Sequence, residues 1–201
     1  MQMDEQVISK QVIKPSNCVF AFGIPTTKDD FYHDYWNSSN GKDFISGSQI
    51  TWNKYNYEIV SFIEDFEKTV KAIGLNIKHQ LTLQEFGSLF LLTDIYAIVL
   101  FSHWKDDQVE FFDGLKSIDS ILEVIPNNYY GVIDLSVCHP VNLALAIRKE
   151  KGIDNIIRYS LKASTPAYWL SFYKGFFRLL YEEDLNYLTA FETTINFFIE
   201  K

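Results

Sequence analysis

Cysteine is nearly missing from this chain. Only Cys18 and Cys138 occur in 201 residues, 120 positions apart. A disulfide-dense secreted scaffold is therefore excluded, and free thiols suit a reducing compartment, so the cytoplasm is the expected location. Proline and glycine are scarce, at 5 and 9 residues, and no stretch rich in them reads as a linker. With no repeat of fixed period, a single domain over residues 1–201 is expected. Apolar runs such as Tyr96 to Phe101 fall far short of the roughly 20 residues that span a bilayer. No basic start followed by an apolar run suggests a signal peptide. Basic residues are also in deficit, 18 against 26 acidic ones, for a net charge of −8. They are scattered, which argues against nucleic acid and against an anionic membrane surface as partners. No Gly-rich phosphate loop, paired-carboxylate motif, CxxC or HxxxH appears, so no cofactor and no metal is expected.

What is abundant is apolar and aromatic. Hydrophobic residues make up 47% of the chain and aromatics 16%, too rich for a disordered segment. These residues fall into alternating short runs and helical periods. NCVFAFG at Asn17 to Gly23, Leu75 to His79, YAIVLFS at Tyr96 to Ser102, Tyr130 to Val137 and Asn155 to Leu161 read as strands. Tyr57 to Ile73 reads as a helix stopped by Gly74. Thr82 with Glu85 forms a capping box for a helix to Leu92. Ser117 to Val124 is a helix ended by Pro126, and Pro140 to Glu150 another closed by Gly152. Helices over Thr165 to Tyr181 and Asp184 to Ile199 complete the chain. Thr26 to Thr51 reads as a long polar loop, with a short helix near Phe31 to Trp36.

Strands separated by helices predict an α/β fold, with a mostly parallel central sheet and helices on both faces. Such sheets place their chemistry beyond the carboxyl ends of the strands. Gly23-Ile24-Pro25, Ser102-His103-Trp104, Val137-Cys138-His139 and Lys162-Ala163-Ser164 all stand at strand exits. Cys138 is a candidate nucleophile and His103 its candidate base. A thiolate attacks, and a neighbouring imidazole lowers its pKa and carries the proton to the leaving group. The helix opening near Pro140 adds a dipole favouring the thiolate. A buried inert thiol and a structural histidine are the plain alternative. Cys18 and His33 read as a core thiol and a surface histidine. Asp106-Asp107 reads as a solvated turn that could also attract a basic group. The helix bearing Trp169, Phe172, Tyr173, Phe176, Phe177 and Leu180 is wide enough for core plus an interface.

From Tyr96 to Leu180 the chain resembles the caspase-like cysteine peptidases, and among them the bacterial CHAT domains, caspase-like domains often found with TPR repeats. The resemblance rests on IVLFSHW at Ile98 to Trp104, VEFFDG at Val109 to Gly114, SIDSIL at Ser117 to Leu122 and VIDLSVCHP at Val132 to Pro140. IIRYSLKASTPAYWLSFYKGFFRLL at Ile156 to Leu180 extends it. It implies a three-layer caspase-like fold and a cysteine endopeptidase acting on protein substrates through a His103–Cys138 dyad. The oxyanion hole would be the backbone N–H groups of Trp104 and Cys138. Ser136, with Asp134 two residues before it on the same strand face, would line the substrate pocket. Some relatives act in bacterial defence or regulated cell death. The chain departs from the pattern in having Trp104 after the histidine, where the family usually has Gly, and His139-Pro140 after the cysteine. These departures leave open a catalytically inactive scaffold or binding protein. A small-nucleotide-binding α/β domain is a third reading. The absence of a recognisable sensor module predicts activation by a protein partner or by a second copy.

Overall fold

The computed structural model describes residues 11–33, 51–105, 107–158 and 165–199. Five parallel strands build the main sheet: β1 (Cys18–Phe22), β2 (Asn76–Lys78), β3 (Ala97–Phe101), β7 (Val132–Ser136) and β8 (Ile156–Arg158), in the order β2-β1-β3-β7-β8. A small antiparallel sheet, β4 (Trp104–Lys105), β5 (Gln108–Phe111) and β6 (Gly114–Ser117), is inserted after β3. Every residue of β1, β3 and β7 is buried, as strands covered on both faces must be.

The helices divide between the two faces. α3 (Ser61–Lys71), α7 (Pro166–Glu182) and α8 (Tyr187–Ile199) share one apolar cluster with Phe20, Phe22, Val99 and Phe101. α4 (Leu83–Leu89), α5 (Ile118–Val124) and α6 (Val141–Lys151) share the other with Val19, Ala21, Ile98, Leu100, Ile133 and Leu135. The odd and even residues of each strand thus serve opposite layers. The chain runs from β1 outward to β2 and returns past β1 to β3, so the direction of winding reverses between β1 and β3. In sheets of this order the crevice at the reversal, outside the strand C-termini, is where ligands bind.

Local signals explain most boundaries. Thr82 Oγ1 accepts from Glu85 N and Glu85 Oε2 accepts from Thr82 N, the reciprocal capping box at α4. Ser117 caps α5 and Thr165 caps α7. Gly152 ends α6 at φ 64°, a left-handed position favouring glycine. The first long helix differs from the sequence expectation. It starts at Thr51, whose side chain caps α2 (Trp52–Tyr55), passes through a π turn at Asn56–Val60, and only then becomes α3. Polar Asn53, Lys54 and Asn56 hide this onset from an apolar period. The short helix after β1 is α1 (Lys28–Phe31), with Thr27 as its cap, earlier than expected. Residues 34–50, the rest of the Thr26–Thr51 segment, lie outside the described residues, as does the end of the last expected strand beyond Arg158.

The aromatic helix also differs. Phe172, Tyr173, Phe176, Phe177 and Leu180 of α7 are all buried. α8 covers them with Tyr187 and Phe191, the Tyr187 ring lying 4.8 Å from Phe176 and the Phe191 ring 5.1 Å from Phe172. The expected apolar surplus for a partner is spent inside the core. Among the described residues, no helix is long and apolar enough to cross a membrane.

Candidate functional site

β3 and β7 pair in parallel, from Ala97 beside Val132 to Phe101 beside Ser136. Ser102 N continues the ladder by donating to Ser136 O at 3.1 Å. His103 and Cys138 each lie two residues beyond the last matched pair. They therefore leave neighbouring strands at the same level, where strand spacing is about 4.8 Å. This is the sheet edge the sequence reading selected. His103 is fixed from the far side as well, because its carbonyl accepts from Glu110 N at 2.9 Å and so opens the β4–β5–β6 hairpin. Cys138 sits in the turn leading to α6, followed by His139 with φ 51°. A left-handed non-glycine residue costs on the order of 1 kcal/mol, and such strain clusters at sites where geometry matters more than stability.

Electrostatics leave both groups neutral. Burial, helped by the Lys105 cation, lowers the His103 pKa to about 4. Burial pushes the Cys138 thiol above its ordinary value. The resting state is a neutral thiol and a neutral imidazole rather than a thiolate–imidazolium pair.

The remaining candidates separate into rim and interior. Trp104 lies on β4 opposite Val109 and packs against the α4–α6 layer. Asp134 is fully buried and accepts hydrogen bonds from Tyr173 Oη at 2.9 Å and Tyr187 Oη at 2.5 Å. These two tyrosine hydroxyls satisfy it. Burial raises its carboxyl to about 7 against the pull of those two bonds. Ser136 is buried too. Alternation gave Asp134 and Ser136 a shared face correctly, and α7 and α8 roof that face, so both side chains belong to the interior beneath the strand exit. Cys18 is a fully buried core thiol, its pKa driven far up by burial and then by the Asp134 charge. His33 is exposed, its ring stacked 6.2 Å from Phe112. Asp107 is exposed in the β4–β5 turn at φ 57°, and Asp106 lies outside the described residues. His139 is exposed. Among the described residues, no three His, Cys, Asp or Glu side chains gather as metal ligands would.

Glu110 escaped the sequence reading, and Gly23 was placed there only as a strand exit. Glu110, only 3% exposed, stands opposite His103 in the hairpin register; its place between Val109 and Phe111 in the sequence pointed to an exposed face instead. Gly23 lies against the hairpin and the β3 exit. A Cβ there would come within 2.5 Å of Glu110 O and 2.8 Å of Ser102 Oγ, so only glycine lets the β1 exit approach the hairpin so closely. No protein-family model matches the chain, and no curated protein does either.

Proposed function

We propose that this chain is a caspase-like cysteine endopeptidase, held in a latent state. The observation that carries the reading is the level exit of His103 and Cys138 from adjacent central strands, set by the β3–β7 register. The crossover pattern and the hairpin between β3 and α5 agree with the three-layer caspase-like arrangement. In the reaction His103 takes the proton from Cys138 Sγ as sulfur attacks the peptide carbonyl carbon. The C–N bond then breaks, and the imidazolium returns the proton to the departing amine. Water, deprotonated by His103, cleaves the thioester and frees Cys138. Backbone N–H groups of Trp104 and Cys138 would hold the oxyanion. Asp134 and Ser136 would shape the pocket floor from beneath, presenting no charge at the rim, which fits no demand for a basic substrate residue.

Latency follows from the two burial shifts. A neutral thiol is a poor nucleophile, and a base with pKa near 4 is weak. Binding of a partner, or of a second copy, that rehydrates or re-pairs the dyad would raise activity. A cytoplasmic role in defence or regulated cell death fits a protease kept silent in this way. A scaffold that has lost catalysis is the second reading, and the partial burial of both reactive groups together with Trp104 in the glycine position favours it. Cleavage of a broad peptide library by wild type, Cys138→Ala and His103→Ala separates the two. Loss of cleavage in each variant, with unchanged melting, is expected. Wild-type cleavage by either variant contradicts the dyad.

A further inference from the structure

His79, just beyond β2, joins two partners on separate elements. Its Nε2 lies 2.8 Å from Glu67 Oε1 on α3, and its Nδ1 lies 3.0 Å from Thr26 Oγ1, beyond β1. The ring is stacked on Phe22, 5.5 Å away and tilted by only 8°, so its orientation is fixed on both edges and one face. Burial disfavours the Glu67 anion, but hydrogen bonds from His79 and Lys71 outweigh it and hold the carboxyl below its ordinary range. Glu67 is therefore an acceptor only, and Nε2 carries the proton towards it. In the tautomer with its proton on Nε2, the lone pair is on Nδ1, 3.0 Å from Thr26 Oγ1, in place to accept its O–H. A hydroxyl donating to an imidazole that a carboxylate orients is the arrangement that activates an alcohol nucleophile.

Two further observations lie beside it. Gln80, the next residue after His79, has φ 50° and donates through Nε2 to Asp30 Oδ1 at 2.7 Å. Asp30 is 6% exposed, and its other oxygen, Oδ2, is buried with no hydrogen-bond partner among the described residues. A buried orphan acceptor calls for an explanation, and an N–H group of a bound molecule supplies one. The cluster stands at the carboxyl ends of β1 and β2, beside the point where the sheet reverses its winding.

We propose that Thr26, His79 and Glu67 form a second nucleophilic site, in which Thr26 Oγ1 is acylated by activated esters or amides whose acyl part carries an N–H donor for Asp30. His79 Nδ1 takes the Thr26 proton as the Oγ1–C bond forms. The bond to the leaving group breaks, and that group departs with the proton. Water then attacks the ester with the same base, regenerating Thr26 and releasing the acid. The site works without Cys138.

The test uses the full chain carrying Cys138→Ala, so that no thiol there competes, with an alkyl fluorophosphonate and the p-nitrophenyl ester of N-acetylglycine as probes. Peptide mass spectrometry reads the modified residue. Phosphonylation of Thr26 is expected. His79→Gln should slow it about a hundredfold, the scale of general-base help. Thr26→Ser should be labelled, and the near-isosteric Thr26→Val should not. Asp30→Asn should slow the glycyl ester more than the fluorophosphonate, which has no N–H. Thr26 left unmodified at saturating reagent, or labelled equally fast in folded His79→Gln, overturns the proposal.

Discussion

Half-buried His103, just beyond β3, and fully buried Asp134, on β7, have opposite pKa shifts, and their titrations should cancel in the wild type. His103 has a folded value near 4 against an ordinary 6.5. Between those values the unfolded chain takes up a proton that the native state refuses. Its contribution is therefore present above the unfolded value and is lost as pH falls towards 4. Asp134 has a folded value near 7 against an ordinary 3.8. There the native state keeps a proton that the unfolded chain has released. Its contribution is present below the unfolded value and is lost as pH rises to 7. Each group changes stability by about 1.4 kcal/mol per pH unit inside its window. Glu67 and Glu85, both held below their ordinary 4.5, act only below that pH, so the range from pH 5 to 6.5 isolates the pair. Urea unfolding of wild type should be nearly flat there. Asp134→Asn should gain about 2 kcal/mol from pH 5 to 6.5, and His103→Gln should lose about the same, over 1.5 pH units. The Asn variant should also match or exceed wild type at pH 8, since it removes a buried charge. If both variants keep the wild-type pH profile, the burial argument for the dyad is wrong.

Alkylation of Cys138 by iodoacetamide, followed by mass spectrometry from pH 7 to 10.5, should rise without a plateau through the ordinary thiol range; a plateau below pH 8 would contradict a suppressed thiolate. Gly23→Ala should lower stability by about 2 kcal/mol or more, because a close backbone contact must move, as measured by urea unfolding. Thr82→Ala should cost about 1 kcal/mol through loss of the α4 cap, seen as a lowered urea midpoint with unchanged slope. Peptidase activity of the purified chain should rise with protein concentration or with an added partner; full activity at the lowest concentration would remove the latency while leaving the dyad in place.

The core strands were legible because β1 and β3 are apolar on both faces, a pattern only a covered sheet requires, and β7 departs from it only at Asp134 and Ser136. Helix ends were legible where a side chain does the work, at Thr82, Ser117, Thr165 and Gly152. The edge strand β2 was read one residue too long at each end, since it pairs on one side only, with Val19 to Ala21. The expected free face of α7 was misjudged for a different reason. A helical period gives the width of an apolar face but not what covers it, and Tyr187 and Phe191 of α8 complete that layer. At the site, placement of His103 and Cys138 followed from strand order, whereas their protonation did not, because burial depends on packing from distant helices. The Thr26–His79–Glu67 contact was invisible in the sequence. Thr26 and His79 are 53 positions apart, and only the β1–β2 pairing brings them together.

The most direct test of the central claim is the rate at which an electrophilic peptide, such as a peptidyl acyloxymethyl ketone, captures Cys138. It should be followed by intact mass in wild type and in His103→Ala. A thioether on Cys138 that forms about a hundredfold faster in wild type, the range of general-base assistance, is the predicted result. Equal rates in the two folded proteins, or capture at Cys18 instead, would contradict the account.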